Sequence, residues 1–131
     1  MTLLERLKNR LPPYPQHLGM VLTVAEPDRL VAEFTVREDL SNGLNTAHGG
    51  ALMTLADTLG AIATVINMPP GAQTTTLESK TNFLAPAPVG TKVIGETTPL
   101  HRGRRTQIWE TRITNEAGKL IAKITQTQLI L

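Results

Sequence analysis

The stretch from residue 47 to residue 68 reads AHGGALMTLADTLGAIATVINM and decides the fold. Apolar residues recur in it at the i, i+3, i+4, i+7 spacing of a helix with one buried face. They are Leu52, Leu55, Ala56, Leu59, Ile62, Ala63 and Ile66. More apolar residues, Ala51, Met53, Ala61 and Val65, continue around the circumference. The pattern therefore predicts a central helix that is enclosed on most sides.

A bilayer-spanning helix is the alternative for this stretch, since about 20 apolar residues are enough to cross a membrane. Three features argue against it: an acid, Asp57, near the midpoint, several threonines and glycines, and no flanking charges to anchor an orientation. We therefore predict a helix inside a globular domain.

Asp57 is the only charged residue between Asp39 and Glu78. Moving an ionised carboxylate out of water is costly unless another group compensates it. We predict that Asp57 is buried, and a lone buried acid on an apolar helix is expected either to be partnered across a contact or to take part in chemistry.

The composition favours one domain over residues 1–131, because this length suits a single core and 40% of the residues are hydrophobic. The formal charge of +2, with one Trp, one Tyr and two Phe, argues against nucleic acid as a partner. Absent cysteines and three widely separated histidines predict no metal site. The first residues do not resemble a secretory signal or a membrane anchor, so we expect a cytoplasmic protein with no membrane partner.

The remaining patterns predict an α+β fold. Leu3, Leu4, Leu7 and Leu11 lie on one face of a short helix within residues 1–15, a lid or brace that Pro12 and Pro13 terminate. A hairpin is predicted from strand-like residues 20–25 and from residues 30–36, where apolar and polar-facing positions alternate. Four further strands are predicted over residues 74–84, 91–100, 106–114 and 119–131. This order indicates an antiparallel sheet curled around a single helix.

Three segments together carry a family resemblance. They are residues 42–52, NGLNTAHGGAL, then residues 55–57, LAD, and residues 82–87, NFLAPA. In this order and spacing they resemble the phenylacetate-degradation type of hotdog-fold acyl-CoA thioesterases, from about residue 18 to the C-terminus. The resemblance implies a hotdog fold, a homodimer or dimer of dimers, and hydrolysis of a CoA thioester with no metal or redox cofactor.

Gly49 and Gly50 are predicted to begin the helix, where backbone N–H groups are free and the dipole is positive. Such a terminus can act as an oxyanion hole, and glycine lets a carbonyl approach closely. Asp57 lies about 12 Å further along the same helix, too far to reach that carbonyl. Two helices packed antiparallel about a two-fold axis would bring Asp57 of one subunit to Gly49 of the other.

The resemblance assigns catalytic roles to several of these residues. Asp57 would be the nucleophile or general base, and its alternative is a structural acid paired across the dimer. The Gly49 N–H would polarise the thioester carbonyl, unless the glycine serves helix packing only. Asn42 would help to hold the reacting groups, although it also fits a simple turn. His48 is interpreted as a positioning or capping residue.

A hydroxyl from the strand after the helix completes the family's site. Counting back from Pro86 favours Thr76 for this position, with the register uncertain by one residue, which leaves Thr75 open. Because side chains alternate across a strand, Thr74 and Thr76 are expected on one face and Thr75 on the other.

A basic cluster of Arg102, Arg104 and Arg105, beside His101, is predicted to lie in a turn. Guanidinium groups of arginine are well suited to bind the phosphates of CoA, and a solvated hairpin tip without a ligand is an equally weighted alternative.

Met53, Leu59 and Phe83 are suggested as residues of the acyl pocket. The sequence does not decide between aromatic acyl groups and short to medium aliphatic ones. The competing functions are a non-catalytic acyl-CoA-binding hotdog module, a purely structural oligomer and, less favoured, a hydratase.

Overall fold

The computed structural model describes all residues, 1–131, as a six-stranded antiparallel sheet with one long helix packed on it. The helices are α1 (Leu3–Lys8), α2 (Pro13–Leu18) and α3 (Gly49–Asn67). The strands are β1 (Val21–Glu26), β2 (Arg29–Thr35), β3 (Thr74–Phe83), β4 (Lys92–Arg102), β5 (Thr106–Asn115) and β6 (Leu120–Ile130). The sheet order is β1-β2-β4-β5-β6-β3. The predicted architecture, an antiparallel sheet around a central helix, is confirmed.

Helix α3 packs one face on the sheet. The buried residues of that face are Ala51, Leu52, Leu55, Ala56, Leu59, Gly60, Ala63 and Thr64. The opposite side is open, because Asp57 and Val65 are exposed. The prediction of a helix enclosed on most sides was therefore wrong for the single chain, since one sheet layer covers only one side of a helix. By length and composition alone α3 could also cross a bilayer.

The sheet and helix approach closely where side chains are small. A Cβ atom added to Gly95 of β4 would lie 3.1 Å from side-chain carbons of Leu55 and Leu59. Trp109 of β5 is fully buried, and its indole N–H donates to Thr64 Oγ1 of α3 at 3.1 Å. The core thus joins the concave face of the sheet to the inner face of α3.

The N-terminal segment differs from the prediction of a single helix ended by prolines. Helix α1 ends at Lys8, and Pro13 begins a second helix, α2, at its first helical position. Proline is well accommodated there because its missing N–H would have no intrahelical partner. Arg37 fastens the end of α2 by donating to the carbonyls of Leu18 at 3.1 Å and His17 at 2.8 Å.

Strand β3 lies at one edge of the sheet. It pairs with β6 only, from Thr74 opposite Ile130 to Phe83 opposite Ala122, so its outer edge is open. Together with α3 it carries three of the five predicted catalytic residues, Gly49, Asp57 and Thr76.

Candidate active site

The N-terminus of α3 presents an unused backbone donor. His48 is the N-cap residue, and its Nδ1 atom accepts from the Gly50 N–H at 2.8 Å. The Gly49 N–H has no acceptor within the chain. The first turn of α3 contains no acidic residue, so the positive end of the helix dipole is not neutralised there. His48 therefore occupies one donor and leaves the Gly49 N–H available.

Gly49 faces a shallow cleft of about 380 Å³. The ring of Phe83 lies against it, since a Cβ atom at Gly49 would lie 2.9 Å from Phe83 Cζ. Asn42, Thr46, Ala47, Leu52, Ala85, Pro86 and Ala87 complete the lining. A glycine is required here for the approach of the ring, as well as for any ligand that reaches the helix terminus.

Asn42 lies in the same cleft, but its side chain is used by the loop that contains it. Its Oδ1 atom accepts from the Leu44 N–H, and its Nδ2 donates to Thr46 Oγ1, each at 2.8 Å. These two hydrogen bonds support the alternative in which Asn42 stabilises a turn of its own loop. One Nδ2 hydrogen stays free to face a ligand.

Asp57 lies in the middle of α3 and is exposed in the single chain, so the expected burial was wrong. Its Oδ1 atom accepts a hydrogen bond from Thr76 Oγ1 at 2.8 Å. Its second oxygen, Oδ2, accepts no hydrogen bond, and no cation pairs with the carboxylate. Thr75 points to the other side of β3 and is exposed. The strand thus places Thr76, and not Thr75, against the acid.

These residues form two groups in one chain. Asn42, His48 and Gly49 lie together at the start of α3, while Asp57 and Thr76 meet midway along it. Eight residues of helix separate Gly49 from Asp57, or about 12 Å. The structure therefore does not bring the free N–H and the free carboxylate oxygen of one chain to a common point.

The three arginines lie at the β4–β5 turn. Arg102, Arg104 and Arg105 are all exposed, and none takes part in an ion pair. The turn is joined to β6, because the Ile130 N–H donates to the Arg105 carbonyl at 2.8 Å. Ile130 is also the register partner of Thr74, so the arginines lie at the same end of the sheet as Thr76.

Residues 44–122 match the model of the thioesterase superfamily. The chain belongs to this superfamily. Proofreading thioesterase EntH from Klebsiella pneumoniae is 36% identical over 79% of this chain and 74% of its own length. Acyl-coenzyme A thioesterase 13 from Mus musculus is 30% identical over 79% of this chain and 74% of its own length. The predicted enzyme class, thioester hydrolase, is confirmed.

Solved structures of the superfamily have the same fold. A mutant of the phenylacetic acid degradation protein PaaI from Thermus thermophilus has a TM-score of 0.84 and 29% identity, covering 92% of this chain and 100% of that chain. A hypothetical thioesterase from Streptococcus pneumoniae, solved with coenzyme A, has a TM-score of 0.77 and 25% identity. The match covers 85% of this chain and 87% of that chain. The predicted resemblance to PaaI-like hotdog thioesterases is confirmed.

Sequence reasoning missed the groups behind Asp57 in this thioesterase. Gln126 and Gln128 of β6 are fully buried, and Gln128 Nε2 donates to Thr76 Oγ1 at 2.7 Å. A signal was present, because both glutamines continue the inward-facing series of Ala122 and Ile124 at alternate positions. Polar side chains on the buried face of a strand call for hydrogen-bond partners.

Sequence reasoning also missed the wall of the cleft beside Asp57. Pro12, Tyr14 and Pro15 line it together with Thr54, Thr58, Ala61 and Ile62 of α3, around a volume of about 380 Å³. The suggestion of Leu59 as a pocket residue was wrong, because this side chain is fully buried against the sheet. Apart from Asp57, no charged residue lines this cleft. No group of three His, Asp or Glu side chains is placed to hold a metal ion.

Proposed function

We propose that this protein is an acyl-CoA thioesterase that hydrolyses a small aromatic or a short to medium-chain acyl-CoA to the free acid and CoA. One observation carries the proposal: Asp57 has one oxygen held by Thr76 and the other free, at an open cleft. Superfamily membership supports it, as do the relative named an acyl-coenzyme A thioesterase and the thioesterase solved with coenzyme A.

The Gly49 N–H supplies the second half of the proposed chemistry. As the carbonyl carbon becomes tetrahedral, negative charge develops on its oxygen, and a donor at a helix N-terminus stabilises that charge. Asp57 either takes a proton from the attacking water or attacks the carbonyl itself to form an anhydride that water then opens. In both versions the C–S bond breaks, and the thiolate of CoA leaves and is protonated.

Two copies of the chain are required for this arrangement. The Gly49 N–H and the Asp57 carboxylate of one chain lie about 12 Å apart along α3, too far to act on one carbonyl. Antiparallel packing of two α3 helices about a two-fold axis would place Asp57 of each copy near Gly49 of the other. The open edge of β3 offers backbone groups for this pairing. The proposed homodimer, alone or within a dimer of dimers, is therefore part of the catalytic site.

We assign the CoA phosphates to Arg102, Arg104 and Arg105. Their guanidinium groups are exposed and unpaired, so binding a phosphate breaks no existing ion pair. Guanidinium groups bind phosphate oxygens by paired hydrogen bonds as well as by charge.

The acyl group is assigned to the Asp57 cleft, where Tyr14 and two prolines form an apolar wall. We propose the cytoplasm as the location.

The test measures free thiol release over a panel of aryl and aliphatic acyl-CoAs by the wild type and by Asp57→Ala. We expect Asp57→Ala to lower kcat by about 10² or more while the dimer persists, as removal of a base or nucleophile does. Asp28→Ala is the matched control, because Asp28 is an exposed acid in the β1–β2 turn without an ion pair.

Three results would contradict the proposal. Saturable CoA binding with no thiol release from any substrate would instead assign the chain as an acyl-CoA-binding module. Normal turnover by Asp57→Ala would remove Asp57 from the mechanism. If Asp57→Asn leaves stability equal or higher and no CoA binds to either form, Asp57 is a pairing residue of a structural oligomer.

A further inference from the structure

Five groups behind the proposed site form one continuous hydrogen-bonded network. Gln126 Nε2 donates to the Ala56 carbonyl, and Gln128 Nε2 donates to Gln126 Oε1, each at 2.7 Å. Gln128 Nε2 also donates to Thr76 Oγ1 at 2.7 Å, and Thr76 Oγ1 donates to Asp57 Oδ1 at 2.8 Å. This glutamine network therefore begins and ends on consecutive residues of α3.

The direction of every bond in the glutamine network follows from its first member. A backbone carbonyl can only accept, so the Ala56 carbonyl requires the NH₂ group of Gln126 and turns the Gln126 oxygen toward Gln128. That oxygen in turn requires the NH₂ group of Gln128. On its other side, Gln128 Oε1 lies 2.9 Å from Thr74 Oγ1, whose single hydrogen it shares with the Leu129 carbonyl, also at 2.9 Å. A flip of either amide would place two acceptors or two donors face to face.

Thr76 is consequently left with one possible role. A hydroxyl has one hydrogen, and here a lone pair already accepts from Gln128, so the hydrogen is directed to Asp57 Oδ1. The carboxylate is thereby held in one rotamer with Oδ2 free. Both glutamines are fully buried, and each of their amide N and O atoms has a hydrogen-bond partner, which makes their part of the network rigid.

We propose that Gln128 and Gln126 are positioning residues that act through Thr76 to select which oxygen of Asp57 reacts, whether as base or as nucleophile. This inference rests on the proposed function. The glutamines do not touch the substrate, because both are closed off from solvent by the sheet and α3. Changes to the glutamines are therefore expected to alter kcat and not KM, because the glutamines orient the reacting carboxylate without adding a contact to the bound substrate.

Gly60 supports this interpretation from the helix side. A Cβ atom at Gly60 would overlap the amide of Gln126, so the helix leaves a space for this side chain one turn after Ala56. The amide is the far end of a flexible side chain, so Gly60→Ala would displace it and break its bond to the Ala56 carbonyl. Gly60→Ala thus disturbs the network without changing any of its members.

The experiment compares Gln128→Met in three backgrounds: wild type, Thr76→Ser and Thr76→Val. Methionine keeps the approximate volume and removes the amide. We expect about a tenfold loss in kcat with KM nearly unchanged in the two backgrounds that keep a hydroxyl. In the Thr76→Val background we expect less than about a twofold further loss, because the residue through which Gln128 acts is gone.

Gln107→Met is the matched control. Gln107 is the register partner of Gln128 on β5, is equally buried, and donates to the Asn67 carbonyl at 3.3 Å outside the network. It is expected to lose stability while keeping kcat. A merely structural role for Gln128 would give the same loss in all three backgrounds, or no loss at all, and either outcome overturns the inference.

A second variant covers the case in which Gln128→Met does not fold. Gly60→Ala is expected to lower kcat by about the same factor as Gln128→Met, again only while residue 76 carries a hydroxyl. Normal kcat in folded Gly60→Ala, with its Gln126 amide displaced, overturns the inference. A wild type without thiol release would instead contradict the proposed function, so the two failures are distinguishable.

Discussion

The hydroxyl of Thr76 on edge strand β3 donates a 2.8 Å hydrogen bond to the carboxylate of Asp57 on helix α3. The two residues are 19 positions apart in the chain, and the contact forms because β3 packs alongside the middle of the helix. It is the only hydrogen bond that the Asp57 side chain makes within the chain.

Removing the Thr76 hydroxyl is expected to lower turnover. Thr76→Val should reduce kcat by about tenfold, because a hydrogen bond to a charged group is worth about 1.5–3 kcal/mol. Thr76→Ser should retain most of the activity. Thr75→Val is the neighbouring control, since its side chain is exposed on the other face of β3. A larger loss of kcat for Thr75→Val than for Thr76→Val in steady-state kinetics would show that the hydroxyl of the site belongs to Thr75 and not to Thr76.

Adding a methyl group at Gly49 is expected to obstruct the helix terminus. The new Cβ atom would lie 2.9 Å from Phe83 Cζ and would occupy space next to the free N–H. We expect Gly49→Ala to lower kcat/KM by at least about tenfold without loss of helix stability, because alanine is the better helix former.

The Phe83→Leu background separates two causes of that loss. If Gly49→Ala acts only by displacing the Phe83 ring, it should become neutral once the ring is replaced. We expect the loss in kcat/KM to persist, because the methyl group itself stands where the carbonyl approaches. Recovery of activity in the double variant would count against the Gly49 N–H as the polarising group.

Neutralising the arginine turn is expected to weaken substrate binding. Arg104→Gln and Arg105→Gln should each raise KM for acyl-CoA several-fold with little change in kcat, and the effect should shrink at high salt. Arg112→Gln is the control, because Arg112 is an exposed arginine of β5 without an ion pair. Equal KM values for the control and the turn variants would make the turn an ordinary solvated hairpin tip.

The link between Arg37 and Asp39 predicts a pH-dependent stability. The hydrogen bond from Arg37, which also brings a positive charge, lowers the pKa of Asp39 below its ordinary value. A lowered pKa in the folded state gives stability that is present above the ordinary pKa and is lost as the pH falls through the lowered one. The effect is expected to be small, because both side chains are exposed.

Asp39→Asn tests this link. Its melting temperature should be slightly below that of the wild type at about pH 7, and the difference should shrink as the pH falls below about 4 and disappear below the lowered pKa of Asp39. Thermal unfolding followed by the fluorescence of buried Trp109 measures it. A difference of the same size at both pH values would show that the charge of Asp39 is not its cause.

Local patterns predicted the elements that depend on backbone periodicity. The apolar spacing from Leu52 to Ile66 identified α3. Alternation over residues 30–36 and the turn residues between the later segments identified the strands to within about two residues at each end. The N-terminal helices were predicted less well, because Pro13 can end one helix or begin the next. Only the tertiary position of the segment, fastened by Arg37, distinguishes the two.

The residues of the candidate site also divide into those that local sequence predicts and those that depend on tertiary contacts. The motif around His48 and Gly49 is contiguous, so the cap and the free N–H follow from sequence. The burial of Asp57 was predicted wrongly, because periodicity places a residue on a helix face but does not say how many layers cover that face. The buried glutamines were missed since their partner carbonyl, that of Ala56, lies 70 residues from Gln126.

By itself, then, the sequence determined the central helix, the strand order along the chain, the motif residues and the thioesterase resemblance. The helix, the strands and the motif residues depend on neighbours within a few positions, and the resemblance depends on three such segments taken in order. The tertiary structure decided that Thr76 and not Thr75 meets Asp57, which carboxylate oxygen is free, and that two glutamines support the contact. Such contacts join residues far apart in the chain, so they depend on how α3 packs against β3 and β6 and not on any local pattern.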